Sequence, residues 1–114
     1  VINNNIDAAL KYGACGTYIP AVDTIIRSQD GNIVSEVPPR PEMFQAQTPQ
    51  SFNILKLKNT YKSLTEVEKE KLTDTCSVFT IKGLPIHIVE GDVLNMKITT
   101  AHDLKIADLI AKHI

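Results

Sequence analysis

The chain has 114 residues, 43% of them hydrophobic, with 12 Lys and Arg against 13 Asp and Glu and a formal net charge of −1. That length fits one small domain or part of a larger one. The near-neutral, interspersed charge argues against a nucleic-acid or membrane surface, and the apolar runs fall far short of the ~20 residues of a membrane span. A chain that opens on Val1, inside helix-like sequence, reads as a piece of a longer domain.

Val1 to Tyr12 predicts an amphipathic helix, with Ile2, Ile6, Ala9 and Leu10 at helical spacing and Gly13 placed to stop it. Gly16 to Val22, β-branched and aromatic, predicts a short buried strand. Thr24–Ser28 and Ile33–Val37 predict two strands of a hairpin about the turn Gln29-Asp30-Gly31-Asn32, closed off by Pro38-Pro39. Such a hairpin is too small to stand alone in water and is expected to pack on something, a second subunit included. Met43 to Gln47 reads as a short extended piece, and Pro49 keeps Thr48 out of a helix.

From Ser51 or Asn53 a helix is predicted through Leu64, with Phe52, Leu55, Leu57 and Tyr61 as its apolar side. Thr65 and Glu68 have capping-box spacing, and Glu66 to Lys71 reads as a solvated helical face. Thr73-Asp74 opens a helix over 75–81 that Gly83 ends; Pro85 to Val89 predicts a buried strand, and Glu90-Gly91-Asp92 a turn. Thr100 caps the last helix, Asp103 suits its dipole, and Leu104, Ala107, Leu109, Ile110 and Ala111 are its expected buried side. Helices alternating with short strands give an α/β class. Cys15 and Cys76 lack metal-ligand spacing and read as buried, reduced thiols of a cytoplasmic protein. His87, His102 and His113 are scattered, so no metal site or nucleophilic constellation emerges.

Lys97 follows a loop after a strand and precedes a capped helix, where ligands of open α/β sheets collect; its ammonium suits a phosphate, though an ordinary solvent-facing lysine fits the same position. Arg40 offers a bidentate fork or a plain surface charge. Thr48 and Thr73 carry hydroxyls that suit a phosphate or sugar, or a turn and a helix cap. Asp23-Thr24 lies at the entry to the hairpin.

In order, Pro20-Ala21-Val22-Asp23-Thr24, Arg40, Gln47-Thr48-Pro49-Gln50-Ser51-Phe52, Leu72-Thr73-Asp74, Gly91, Asn95-Met96-Lys97-Ile98-Thr99 and Asp103-Leu104 resemble the C-terminal half of the sugar-phosphate cytidylyltransferases. Ala8 to Ala14, Pro20 to Ile26, Gln45 to Phe52 and Tyr61 to Asp74 are more similar to the ribitol-5-phosphate branch than to the 2-C-methyl-D-erythritol 4-phosphate branch, which more often has a basic residue where this chain has Ile25-Ile26. The resemblance implies a Rossmann-like nucleotidyltransferase fold whose C-terminal portion spans residues 1–114, with a hairpin dimerisation arm over about 23–45. It implies transfer of CMP from CTP to ribitol 5-phosphate, feeding teichoic acid or capsule, or alternatively to methylerythritol phosphate, feeding isoprenoid synthesis. Lys97 is then the expected catalytic residue, and Thr24, Arg40, Thr48, Thr73 and Lys97 the expected substrate contacts, with Arg40 serving a neighbouring subunit of a homodimer. The family's Gly-rich CTP loop is not found among the five glycines. Mg²⁺ is therefore expected to bind mainly through residues outside this stretch. A noncatalytic dimerisation module is the alternative from another class.

Overall fold

The computed structural model describes residues 1–112, so His113 lies outside the described residues. Helix α1 (Ile2–Tyr12) leads into strand β1 (Ala14–Pro20), and Gly13 makes the bend in the left-handed region at φ 84°, its N–H donating to the Ala9 carbonyl. Strand β2 (Phe44–Phe52) follows the arm, then helices α2 (Ile54–Lys62), α3 (Glu66–Glu70) and α4 (Cys76–Ile81), strand β3 (His87–Glu90) and helix α5 (Ala101–Ala111). The sheet order is β2-β1-β3, with β1 antiparallel to β2 and parallel to β3. The parallel pair is joined by a crossover that contains α2 to α4, the connection that parallel strands require.

β1 is central, and Ala14 to Thr17 are buried. Its side chains alternate between the two faces. Ala14 meets Leu64, Val78 and Phe79 in the main core, backed by the half-buried Phe52, Leu57, Leu72, Ile81 and Ile86. Cys15 and Thr17 turn to α1, where the buried Asn5 amide donates to Thr17 Oγ1 at 2.8 Å and the Asn5 main-chain carbonyl accepts from Cys15 Sγ at 3.3 Å. A buried amide engaged in this way costs little to desolvate.

The local signals translate directly into structure. Asn53 caps α2 by accepting from the Lys56 N–H, the predicted Thr65–Glu68 capping box forms, and the predicted Thr100 cap proves to be a second box completed by Asp103. Asp103 Oδ2 also accepts from the Thr99 hydroxyl at 2.9 Å, and this bond, then the Thr99 N–H, holds its carboxyl below the ordinary value. A depressed carboxyl stabilises the cap above the usual carboxylate range of about 4 and loses that contribution as pH falls through the folded value. Asp103→Asn is therefore expected to speed amide exchange in the first turn of α5 at pH 7, with the gap to wild type closing on acidification; a gap that stays constant with pH would exclude this origin.

Three expectations change. The arm leaves the sheet after Ala21 and returns at Met43, where Ala21 N–H donates to the Met43 carbonyl. Its turn is as read: Asp30 Oδ1 accepts from the Asn32 and Ile33 N–H groups, and Gly31 sits at φ 78°. The two predicted strands, however, reduce to one antiparallel bridge, Arg27 to Glu36. Most of the arm's side chains are exposed, so little packing sustains a longer ladder. The short extended piece proves to be the start of the nine-residue β2, after a 3₁₀ turn at Arg40–Glu42. Finally, Leu55 is 67% exposed while Thr60 is buried, and α5 buries none of its described residues, with Leu104 and Leu109 each 59% exposed. Periodicity identifies an apolar stripe, not the surface that covers it.

Candidate functional site

A cleft of about 680 Å³ opens at one end of the sheet, lined among others by Thr48, Gln50, Asp74, Asn95, Met96 and Lys97. It is built around a bulge. β1 pairs Gly16 with Gln50 but Thr17 with Gln47, so Thr48 and Pro49 are the extra residues on β2. A bulge re-aims the side chains it carries. The Pro49 carbonyl accepts from the buried Thr17 hydroxyl at 2.8 Å, which anchors the bulge to the central strand. The Thr48–Pro49 peptide is cis.

The two glutamines flanking Thr48-Pro49 each hold a different loop. Gln50 Nε2 donates to Asp74 Oδ2 at 3.0 Å, and Gln50 Oε1 accepts from the Cys76 N–H at 3.1 Å, fixing the start of α4. Gln47 Nε2 donates to the Asp92 carbonyl at 2.8 Å, and Gln47 Oε1 accepts from the Asp92 N–H at 3.2 Å and Asn95 Nδ2 at 3.4 Å. Asn95 Nδ2 also donates to the Thr48 carbonyl at 2.7 Å. The loop after β3 thus crosses β1 to reach β2. Gly91 permits the crossing, since a Cβ there would collide with Gln47 Oε1 and press on the Thr17 and Ile19 side chains.

Of the expected site residues, Thr48 and Lys97 line this cleft together. Thr73 lines a separate apolar hollow of about 520 Å³ with Leu57, Tyr61 and Val78, and the two cavities meet at Asp74. Thr24 and Arg40 are exposed on the arm, Arg40 Nη1 donating to the Val22 carbonyl at 3.3 Å. The amides of Gln47, Gln50 and Asn95 were visible as motif residues, but their structural task follows only from the strand order.

Burial pushes the Tyr18 phenol far up, with its bond to the Cys76 thiol and the nearby Asp74 charge adding to the effect. Burial likewise raises the Cys15 and Cys76 thiols, which are buried and unbridged. All three stay protonated near neutrality, and a thiol is a poor nucleophile. Among the described residues no three His, Cys, Asp or Glu side chains converge as a metal site.

What the cleft does offer is a cation and a hydroxyl at the end of a parallel pair, the location at which α/β sheets bind ligands. Residues 1–113 match the family model described as 2-C-methyl-D-erythritol 4-phosphate cytidylyltransferase, IspD. Among solved structures, the chain is similar to the 4-diphosphocytidyl-2C-methyl-D-erythritol synthase of Anaerococcus prevotii, with TM-score 0.84 and 26% identity over 97% of this chain and 51% of that one. It is also similar to the 2-C-methyl-D-erythritol 4-phosphate cytidylyltransferases of Francisella tularensis (TM-score 0.79, 27% identity, 96% and 52% covered) and Thermus thermophilus (0.76, 27%, 97% and 54%). The chain spans about half the length of these structures. Family model and structures alike carry the methylerythritol name rather than that of the ribitol branch towards which the sequence leaned. The match spans nearly the whole chain and the mixed sheet agrees with it, so the chain belongs to the IspD, or 2-C-methyl-D-erythritol 4-phosphate cytidylyltransferase, family.

Proposed function

We propose that the complete protein transfers CMP from CTP to 2-C-methyl-D-erythritol 4-phosphate. The observation that carries the reading is the family match over residues 1–113, supported by the cleft that Thr48 and Lys97 share. In this reaction an acceptor phosphate oxygen bonds to the α-phosphorus of CTP. The bond from that phosphorus to the bridging oxygen of the β-phosphate breaks, and pyrophosphate leaves. Two anions must be held together, so positioning and charge neutralisation dominate. Lys97 supplies a mobile positive charge to the acceptor phosphate, and Thr48 a hydroxyl donor. Arg40 and Thr24, on the arm, act as further acceptor contacts, and Thr73 is a more distant one. CTP and Mg²⁺ are held mainly by residues outside this stretch.

The arm is the proposed homodimer contact. It exposes Ile33 at 70% and Val37 at 58%, apolar surface that association would cover. A cytoplasmic location belongs to the same proposal. No helix among the described residues is long and apolar enough to cross a membrane.

Pyrophosphate release by the complete protein, with CTP and each acceptor in turn, tests the reading. Turnover with methylerythritol phosphate at least about tenfold above ribitol 5-phosphate, a difference of about 1.4 kcal/mol in transition-state binding, is expected. The reverse preference restores the ribitol reading that Ile25-Ile26 favoured. Release with neither acceptor leaves the dimerisation module.

A further inference from the structure

We infer that Gln47 and Asn95 are positioning residues for the acceptor side of the cleft, acting through Lys97; the inference rests on the acceptor role just proposed for that lysine. The loop that carries Lys97 leaves β3, on one side of β1, and docks on β2, on the other side. No backbone ladder spans that gap. The docking is made by side-chain amides: both polar atoms of the Gln47 amide bond the Asp92 main chain, at 2.8 and 3.2 Å, as a neighbouring strand would. Asn95, two residues before Lys97, donates at 2.7 Å to the carbonyl of Thr48, so the backbones that bear Thr48 and Lys97 are joined by one side chain. Gln47 and Asn95 are both partly buried and touch each other at 3.4 Å, which closes the set. An amide has the donor and the acceptor this needs; a carboxylate has acceptors only. The lysine itself is exposed on a flexible stem, so the docked loop is what confines its ammonium to the cleft. Gln50, three residues on, holds the Asp74–Cys76 turn instead and has no bond to the Lys97 loop among the described residues.

The near-isosteric changes Asn95→Asp and Gln47→Glu remove the donors and keep the shape. In the complete protein, each is expected to lower kcat/KM for the acceptor by about tenfold, the factor a lost hydrogen bond of ordinary strength corresponds to, with KM for CTP unmoved. The decisive measurement is a double-mutant cycle with Lys97→Ala. If the amides act through Lys97, then Asn95→Asp has little further effect once the lysine is gone. Additive losses in the cycle, or wild-type kinetics of Asn95→Asp beside an impaired Lys97→Ala, overturn the positioning role. Wild-type kinetics of Lys97→Ala instead overturn the acceptor reading beneath it. Asn95→Ala, which removes the donor without adding charge, must show the same non-additivity; if Asn95→Asp alone is impaired, the effect is the new charge and the inference fails.

Discussion

Replacing Phe79 by alanine is expected to destabilise the protein by about 3–5 kcal/mol, the range for a buried aromatic deleted from a core. Phe79 is fully buried, lies in the cluster with Ala14, Leu64 and Val78, and stacks on Phe52 with ring centroids 5.3 Å apart. With Val78 it brings α4 into the core that contains Ala14 of the central strand, and cutting it back leaves a void in that cluster. A domain has about 5–15 kcal/mol in all, so such a loss is a large share of it. Phe79→Leu, which refills most of the volume, should cost well under half as much. Glu66→Ala, at a charged side chain 89% exposed on α3, should fall within about 0.5 kcal/mol of wild type. Equilibrium urea unfolding of the complete protein and the three variants measures all of these. A Phe79→Ala variant as stable as Glu66→Ala would mean that α4 does not pack on β1 as described.

That contrast also explains what could be read from the chain alone. Signals complete within four residues were legible: the Thr65–Glu68 box, the Thr100 cap, the Gly13 bend and the Asp30-Gly31 turn all form where residue chemistry puts them. Features that need a second surface were not. Leu55 and α5 carry apolar stripes at helical spacing, yet only Leu57, Thr60 and Leu64 of the α2 segment turn towards the core or become buried. The arm's alternating residues suit a ladder, but with no sheet beside them they make a single bridge. The site divides in the same way. Thr48 and Lys97 were identified from motif and from position after a strand. Their sharing of one cleft depends on β1 lying between β2 and β3, so that two glutamines only three residues apart reach opposite loops. Nothing in the spacing of Gln47 and Asn95, 48 residues apart, announces that bond.

Lys97→Ala is expected to have the largest effect on turnover, a fall of about a hundredfold or more in kcat/KM for the acceptor phosphate, comparable to removing a placed donor from other charge-stabilising sites. The side chain is exposed at the cleft and enters none of the ion pairs among the described residues, so its charge is not already spent on a neighbouring carboxylate. Removing it should leave the fold intact, because an exposed lysine contributes little to packing. Lys97→Arg keeps the charge on a longer, planar head; it should recover part of the loss without restoring wild-type rates, since a fork and a point charge do not place a phosphate alike. The split between parameters carries the test. An acceptor contact raises the acceptor KM, lowers kcat, or both, while the CTP KM stays within about twofold of wild type. Added salt should weaken acceptor binding more in wild type than in Lys97→Ala, because only the wild type has this charge to screen. If the alanine variant instead keeps acceptor kinetics within about threefold of wild type, or loses its affinity for CTP alone, the ammonium of Lys97 serves another partner and the acceptor side of the cleft must lie elsewhere.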